Sequence, residues 1–308
     1  MIKRHYISFN IPRERTENIR VALADIECGK WWRPPPNEHG LPSFDNLFDS
    51  EDHRLSALKE LAKREGLNPF ERIDHIYTDA ELRSFPLLVF GANRAPIPLG
   101  DAQEDLEFDL SEACPHCGTG GVQTSSLYVF QPSRLPKKGL ICETTRGHLL
   151  VAQSVAETLR SEEIADVELR QTVSLRRHEP LPWWQVLPRY TIPRISKHSK
   201  NIVRDTEPLF NPADPKRGCP VCERDMFGFK GPEPSDWVYD RQTVDPDALP
   251  DIVQTWECFG RSVLHDDPVR KLVRGFAQPA ILVKPRVFDI FRRLKVRGAC
   301  FQPVRFIE

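Results

Sequence analysis

Two short cysteine motifs offer the clearest chemistry in this sequence: Cys114-Pro-His-Cys117-Gly118 and Cys219-Pro-Val-Cys222-Glu223. Two thiolates spaced as C-P-x-C can bind one metal ion, because the tight turn between them points both side chains the same way. Proline stiffens such a turn, and the glycine after the first motif lets the chain leave it in a conformation that other residues resist. Each motif therefore predicts half of a tetrahedral, all-cysteine zinc shell.

The two halves complete one site if they share an ion. We therefore expect one structural Zn²⁺ with Zn–S distances of about 2.3 Å, and its predicted ligands are Cys114, Cys117, Cys219 and Cys222. A full thiolate shell leaves no position for a water molecule, which favours a structural over a catalytic ion. Two separate zinc ions, with Cys142 and Cys258 as additional ligands, are the alternative.

The eight cysteines also bear on the compartment. No apolar run reaches the roughly 18 residues of a membrane span, and the stretch from Met1 to Arg15 lacks the apolar core of a signal peptide. These features predict a cytoplasmic protein without a membrane partner. Thiols stay reduced there, so paired C-x-x-C motifs favour metal over disulfides. Small buried apolar residues are the expected role of the other four cysteines: Cys28, Cys142, Cys258 and Cys300.

The composition of the 308-residue chain sets further limits. A hydrophobic content of 40% is enough for a substantial core, and the length predicts about two domains or one elaborated domain. A net charge of −1 argues against a surface built as a whole for nucleic acid. The 28 prolines predict many turns, short strands and at least one long irregular segment.

Hydrophobic periodicity predicts an α+β fold of two related zinc-stapled α/β modules with mixed short sheets, plus an N-terminal extension. The first predicted division is an N-terminal α+β region of unknown role (1–104), and a first C-P-x-C module (105–175) follows it. A Pro-rich connecting segment (176–218) then leads to a second C-P-x-C module (219–308).

The clearest helix lies in the N-terminal region. Ser50 is its expected N-cap, because acids follow in the first turn. Apolar residues then recur at helical spacing until Gly66 ends the helix, and they are Leu55, Leu58, Leu61 and Ala62. Strands are expected afterwards at 73–77 and 86–90.

The part of the chain that holds the cysteine motifs repeats itself weakly. Several residues recur at one constant offset, with Leu150-Val151, Val155 and Arg160 matching Leu282-Val283, Val287 and Arg292. Each half has the order C-P-x-C motif, strand, lone cysteine, strand, short helix and strand. A duplicated module that carries half a zinc site explains this order economically.

An acidic run precedes the first motif. Between residues 101 and 112 the acids have no basic neighbour, and Leu106, Phe108 and Leu110 alternate with them as on a strand with one wet face. One interpretation is an edge strand protected by charge. The other is a docking surface for a basic partner, whose candidate contacts are Asp101, Glu104, Asp105, Glu107 and Asp109.

Residues 176–218 show little periodicity and combine prolines and basic residues with Trp183-Trp184. We expect a long irregular segment with one of two roles. Interleaved basic and aromatic side chains could grip single-stranded nucleic acid. Alternatively, the segment wraps the core and buries its tryptophans.

Familiar catalytic motifs are missing from the sequence, among them G-x-S-x-G, the P-loop, G-x-G-x-x-G and H-E-x-x-H. A thioredoxin-like role needs its C-x-x-C at a helix N-terminus after a strand, which the flanking residues of neither motif offer. We therefore expect no enzymatic activity. An unfamiliar catalytic site in the N-terminal region is the remaining possibility for an enzyme.

A resemblance to a known family is carried by the paired C-P-x-C motifs and by a C-terminal pattern. The C-terminal pattern comprises Pro279-Ala-Ile-Leu-Val-Lys284, Phe288 and Val296-Arg-Gly298-Ala-Cys-Phe301-Gln-Pro303-Val304. These residues resemble the double-CXXCG immunity proteins of bacterial polymorphic toxin systems. The resemblance covers residues 105–308. Glu223 departs from it, because the family has glycine there, but the change spares the four ligands.

Immunity proteins of this family are made beside a toxin, bind it and protect the producing cell. The resemblance therefore implies a non-enzymatic inhibitor whose partner is a toxin encoded nearby. The competing hypothesis is a zinc-ribbon-like protein that binds nucleic acid through the basic and aromatic segment 176–218.

Overall fold

The computed structural model describes residues 1–33, 41–92, 106–137, 139–144, 146–204, 218–231, 234–260, 262–264, 273–275 and 277–308. Contacts divide the chain into two compact units. The first consists of Met1–Glu81 with Lys230–Ser235, and the second of Leu82–Phe229 with Asp236–Glu308. This division falls inside the predicted N-terminal region 1–104.

The first unit has one antiparallel sheet in the strand order β2-β3-β1-β4. Its elements are β1 (Ile2–Asn10), α1 (Thr16–Asp25), β2 (Trp32–Arg33), β3 (Ser43–Asp49), α2 (His53–Arg64) and β4 (Phe70–Ile76). Buried residues from both helices pack with β1 and β3 in one core. The succession β-α-β-β-α-β with this strand order is that of the ferredoxin-like split β-α-β motif.

Helix α2 tests the sequence prediction closely. Its apolar stripe of Leu55, Leu58, Leu61 and Ala62 is buried, as predicted. Gly66 follows the helix with a φ of +59°, also as predicted. The predicted N-cap is wrong, because Asp52 accepts the N–H of Arg54 at 3.0 Å. Ser50 lies in the turn after β3 and donates to the carbonyl oxygen of Lys3 at 2.9 Å instead.

Short helix α3 (Asp79–Arg83) precedes the strands of the second unit. The elements that follow are β5 (Leu87–Ala92), β6 (Phe108–Asp109), β7 (Val122–Gln123), β8 (Tyr128–Val129), β9 (Ile141–Glu143), β10 (Leu149–Ala152), α4 (Gln153–Ser161), β11 (Val167–Ser174), β12 (Pro180–Pro188), β13 (Ile202–Arg204), β14 (Phe227–Phe229), β15 (Trp237–Asp240), β16 (Ile252–Phe259), β17 (Ser262–Leu264), β18 (Val273–Gly275), β19 (Gln278–Val283), α5 (Pro285–Arg293) and β20 (Ala299–Ile307). Across the described ranges, no helix combines the length and the apolar character needed to cross a membrane.

Two sheets of the second unit carry its core. We call the five-stranded sheet β8-β11-β12-β10-β9 the insert sheet and the seven-stranded sheet β13-β14-β16-β19-β5-β20-β15 the frame sheet. Both mix antiparallel pairs with parallel ones, such as β8 with β11 and β15 with β20. The α+β class with mixed short sheets is therefore confirmed.

The two sheets share one five-strand arrangement. In the insert sheet, β10 and β11 are joined by α4 and flank β12, which is antiparallel to both. In the frame sheet, β19 and β20 are joined by α5 and flank β5 in the same way. The repeat predicted from sequence thus has a structural counterpart.

The central strands of the two sheets come from different places in the chain. β12 follows β11 directly, whereas β5 precedes every strand of the insert sheet. The chain therefore begins the frame sheet, completes the insert sheet, and then returns to finish the frame. One half of the repeat is nested in the other.

The described part of the segment 176–218, which is 176–204 and residue 218, is less irregular than predicted. It contains β12, whose Trp183 and Gln185 are buried while Trp184 between them is half-buried. The prediction failed because Pro180 and Pro182 mask this alternation. Both prolines stand at the end of β12 that β10 does not reach, since β10 pairs only with residues 183–185.

Beyond β12, the same segment bonds to two strands of the frame sheet. Ile192 N–H donates to the carbonyl oxygen of Gln254 in β16 at 2.9 Å, and Ser196 N–H donates to that of Val238 in β15 at 2.8 Å. Ile192 is buried in the core to which both strands contribute. Of the two predicted roles, the structure favours the extended wrap.

Candidate metal centre

The first C-P-x-C motif is the turn of a hairpin. Strands β6 and β7 pair Phe108 with Gln123, and the motif lies between them. Gly118 N–H donates to the carbonyl oxygen of Cys114 at 2.8 Å and so closes the turn. Gly118 has a φ of +75°, the left-handed conformation that glycine adopts without steric cost. We call Cys114–Gly118 the first knuckle.

Buried polar contacts fix this hairpin on the insert sheet. The side-chain amides of Gln123 and Gln185 bond reciprocally at 2.9 and 3.0 Å. Arg170 Nη1 donates to the carbonyl oxygens of Gln123 and Ser125, both at 2.8 Å. The amide nitrogen of Gln185 also lies 3.2 Å from His148 Nδ1. The first knuckle is therefore held by a network of side chains that lies behind it.

The second motif forms a similar turn, which we call the second knuckle (Cys219–Glu223). Val221 N–H donates to Cys219 Sγ at 3.4 Å. Glu223 has a φ of +58° and thus copies the backbone conformation of Gly118. The departure from the family pattern keeps the shape of the turn, at a cost of about 1–2 kcal/mol for a non-glycine residue.

Backbone bonds fix the second knuckle on the frame sheet. Arg224 Nε donates to the carbonyl oxygen of Trp256 at 3.0 Å. The Arg224 carbonyl oxygen in turn accepts the Cys258 N–H at 2.6 Å. The chain then enters β14, which pairs with β16 through Phe227 and Phe259. Arg224 also approaches the hairpin of the first knuckle, because a Cβ on Gly120 would lie only 2.9 Å from its Nη1.

The four predicted ligands meet at one place. All four sulfur atoms lie within 4.8 Å of one another. Cys114 Sγ is 3.7 Å from Cys219 Sγ, and Cys117 Sγ is 3.6 Å from Cys222 Sγ. A tetrahedron with bonds of about 2.3 Å has sulfur–sulfur edges of about 3.8 Å. The four cysteines are therefore spaced to bind one metal ion tetrahedrally through their thiolates. The distances between the sulfur atoms are too long for disulfide bonds.

Burial makes this cluster an unfavourable place for uncompensated thiolates. It raises the pKa of the Cys117 thiol and raises the pKa of Cys222 to about 11. Burial also raises the pKa of Cys114, but N–H groups of Cys117 and His116 outweigh it, so that the pKa of Cys114 is lowered. Amide donors therefore favour the thiolate at Cys114, and a cation would be needed to favour it at Cys117 and Cys222 as well.

Three arginines surround the second knuckle. Arg194 and Arg204 lie 3.9 and 4.0 Å from the Glu223 carboxylate. The guanidinium groups of Arg194 and Arg224 lie over the Trp256 ring, at 5.1 and 5.7 Å from its centroid. Four thiolates around a dication carry two net negative charges, which these cations would partly offset.

The other cysteines lie apart from the cluster. Among the described residues, no second group of three or more ligand side chains could hold a metal ion. The structure therefore favours one shared site over two sites that include Cys142 and Cys258. Cys28, Cys142 and Cys258 are buried, as predicted. Cys300 is exposed, contrary to prediction, because residue 301 is the one that faces the aromatic rings under α5.

The predicted partner surface is described only in part. Asp101, Glu104 and Asp105 lie outside the described residues. Glu107 and Asp109 are exposed on the hairpin that carries the first knuckle. The N–H of Ser111 bonds to Asp109 Oδ1 at 2.9 Å, and this bond lowers the pKa of the Asp109 carboxyl. The predicted strand over 101–112 is limited, in the described part, to β6.

The tryptophans that could have gripped nucleic acid are engaged within the fold. Trp183 is buried, and only 5% of its surface is exposed. The ring of Trp184 is covered by Arg160, whose guanidinium carbon lies 3.9 Å from the ring centroid. Trp183 is thus withdrawn from solvent, and one face of the Trp184 ring is occupied by Arg160.

Comparison with known proteins adds no relative. A scan against protein-family models matches none of them, and a search of curated proteins finds no match. The resemblance carried by the two cysteine motifs and the C-terminal pattern therefore stays a prediction. The closeness of the four sulfur atoms is the finding on which metal binding is inferred.

Proposed function

We propose that the protein is an immunity-type inhibitor that binds and neutralises a toxin encoded beside it, and that one structural Zn²⁺ shapes the surface that does so. The observation that carries the metal part is the meeting of two distant motifs in one cluster within 4.8 Å. When bound, the ion would keep four thiols as thiolates and link the two knuckles. Four protein ligands leave it no position for a substrate.

The C-terminal pattern supports the family resemblance through the fold. Its residues lie in β19, α5 and β20, next to the central strand of the frame sheet. The ring of Phe301 stacks on Phe90 at 5.1 Å and meets Phe288 edge-on at 5.0 Å. The aromatic residues of the pattern are therefore packing residues, and we look for the contacts with a partner among exposed charged residues elsewhere.

The acids on the first hairpin are our candidates for these contacts. Glu107 and Asp109 are exposed and lie on β6 or just before it, on the strand that leads to the first knuckle. An ion that ties this knuckle to the second would fix the position of both carboxylates. Toxin domains that act on nucleic acid are often basic, and opposite charge speeds encounter and selects partners.

Co-expression tests the proposal directly. A host that makes the neighbouring toxin should survive when this protein is present and die when it is absent. We expect Glu107→Lys with Asp109→Lys to slow association with the toxin and to weaken its salt dependence. If the wild-type protein gives no protection, the inhibitor hypothesis is wrong.

A matched control separates charge reversal at this surface from charge reversal in general. Asp245 and Asp247 are also exposed, and Asp245 Oδ1 accepts the Asp247 N–H at 3.0 Å much as Asp109 accepts that of Ser111. Asp245→Lys with Asp247→Lys should leave association unchanged. If both double variants protect like the wild type, the inhibitor stands and the choice of surface fails.

The nucleic-acid hypothesis makes a different prediction. It requires binding to single-stranded RNA or DNA that weakens steeply with salt. The engagement of Trp183 and Trp184 within the fold argues against it. Titration of a labelled single-stranded oligonucleotide would decide, since tight binding that is lost on Trp184→Ala would favour nucleic acid over a toxin.

A further inference from the structure

A buried carboxylate lies directly behind the second knuckle. The Asp225 side chain is 2% exposed, and its Oδ1 accepts the Cys219 N–H at 2.8 Å. The chain turns back to place it there through two residues in the left-handed region, Glu223 (φ +58°) and Met226 (φ +66°). A buried carboxylate is retained only where it is paired or hydrogen-bonded, and here one of its partners is the backbone of a ligand.

The second partner of this carboxylate is Arg204, the last residue of β13. Its Nη2 donates to the carbonyl oxygen of Cys219 at 2.6 Å and lies 3.6 Å from Asp225 Oδ1. Its Nε donates to the carbonyl oxygen of Asp225 at 3.2 Å. One guanidinium group therefore bridges the first ligand of the knuckle and the residue that folds behind it.

Gly218 makes room for this bridge. A Cβ at that position would lie 2.9 Å from Arg204 Nη2, closer than real side chains approach. The φ of Gly218 is +86°, which a residue with a side chain adopts only under strain. Sequence, backbone conformation and side-chain contacts thus agree that Arg204 belongs against Cys219.

We propose that Arg204 and Asp225 are positioning residues of the metal centre, which hold the second knuckle in its ligating shape before an ion binds. Between them they engage both the N–H and the carbonyl group of Cys219. The first knuckle differs, because its closing bonds run from backbone to backbone, from Gly118 to Cys114 and from Cys114 to Thr119. This inference rests on the proposed metal centre.

Zinc affinity of the full-length protein tests the proposal. The metal-free, reduced protein would be titrated with Zn²⁺ in competition with a chromophoric chelator. Partners behind metal ligands typically contribute about 10- to 100-fold in affinity, and we expect a loss of that size from Arg204→Gln and from Asp225→Ala. Absorption of the Co²⁺-loaded variants would show whether the four-thiolate geometry persists.

Two further variants distinguish position from charge. Arg204→Lys keeps the charge, but a single ammonium cannot reproduce the fork that reaches two carbonyl oxygens, so it should bind nearly as weakly as Arg204→Gln. Arg194→Gln removes a cation that is 56% exposed and lies 3.9 Å from Glu223, so only charge near the centre is lost and the affinity should fall much less than in Arg204→Gln. Wild-type affinity in Arg204→Lys, or a matching loss in Arg194→Gln, would overturn the positioning role.

The remaining outcomes are equally decisive. If Arg204→Gln and Asp225→Ala bind Zn²⁺ as tightly as the wild type, the second knuckle needs no support and the inference is wrong. If Arg204→Gln does not fold, Asp225→Asn replaces it, because the amide keeps an acceptor for Cys219 while the ion pair is lost. Unchanged affinity there would again overturn the inference. If the wild type itself takes up no Zn²⁺, the metal centre fails and the inference fails with it.

Discussion

The insert sheet and the frame sheet contain the same five-strand arrangement, which each of them forms from different parts of the chain. Helices α4 and α5 begin at matching positions, Gln153 and Pro285, and both follow directly on a strand. Both helices are followed by a non-glycine residue in the left-handed region, Glu163 with a φ of 52° and Lys295 with a φ of 53°. The two halves therefore agree even in how a helix ends.

The side chains of the two sheets differ in polarity at matching positions. Gln185 pairs with Leu150 in the insert sheet, where Val89 pairs with Leu282 in the frame sheet. His148 of the insert likewise matches Ala280 of the frame. The insert sheet thus has a buried polar row where the frame sheet has apolar residues, and this row holds the first knuckle. The comparison teaches that one backbone arrangement accommodates two kinds of core, of which the polar one carries a cysteine turn.

Loss of one cysteine of the cluster should lower stability more than any other change, and the decrease should be the same whichever knuckle loses its cysteine. If both knuckles share one ion, Cys114→Ser and Cys219→Ser each remove it entirely. Free Zn²⁺ at about a thousand times Kd contributes about 4 kcal/mol to the stability of the folded protein. Metal analysis and thermal melts with and without a chelator measure this. Retention of one ion in both variants would show that each half has its own site.

Acid should destabilise the insert sheet more than the frame sheet. Burial, with a smaller effect of Arg146, lowers the pKa of His148 to about 4, against about 6.5 in an unfolded chain. The unfolded chain therefore binds the proton first, and stability is lost as pH falls from about 6.5 to 4, by about 3 kcal/mol.

Urea unfolding across this pH range measures the effect. His148→Ala copies the residue of the frame sheet and should flatten the pH dependence, whatever it does to stability at neutral pH. His198→Ala, at an exposed position, is the control and should leave the slope unchanged. An unaltered slope in His148→Ala would refute the assignment to this histidine.

Replacing single polar residues of the insert core by the apolar type found in the frame core should lower the stability of the protein. Gln185→Val leaves the buried Gln123 Oε1 without its donor, and an unsatisfied buried group costs about 1–3 kcal/mol. Gln123→Leu combined with Gln185→Val removes both partners and should recover part of that loss. Chemical denaturation of the two single variants and the double variant gives the coupling. Strict additivity would mean that the two amides do not depend on each other.

The smallest effect concerns the residue after each knuckle. Glu223→Gly should stabilise the second knuckle by about 1 kcal/mol, because glycine adopts the left-handed region without steric cost. Gly118→Ala should destabilise the first knuckle by a similar amount for the same reason. Thermal melts of the zinc-loaded protein compare the two. A destabilised Glu223→Gly would show that the contacts of Glu223 with Arg194 and Arg204 outweigh the strain.

Local patterns in the sequence identified much of this structure. The spacing of the cysteines found all four members of the cluster, because two C-P-x-C turns fix the direction of their side chains. Periodicity found α2, and the constant offset found the repeat with its two short helices, α4 and α5. These features depend on residues near one another in sequence or on a direct match between segments.

Other features depend on distant partners and left no such signal. The run at 86–90 was recognised as a strand, but nothing in it indicates that it lies between β19 and β20. Prolines masked β12. Asp225, Arg204 and the Gln123–Gln185 pair are single polar residues without periodicity, and only the folded chain shows that their partners are the knuckles.

The nesting of one half in the other has a consequence for synthesis on the ribosome. β5 ends at Ala92, but its neighbours β19 and β20 begin only at Gln278 and Ala299. At about 5–20 residues per second, the strand must wait roughly ten to forty seconds for its partners. Leu87, Leu88 and Phe90, all buried in the finished fold, are exposed with unpaired edges during that time, the state in which strands aggregate. Translation speed and chaperone supply should therefore set the yield of this protein more strongly than its final stability does.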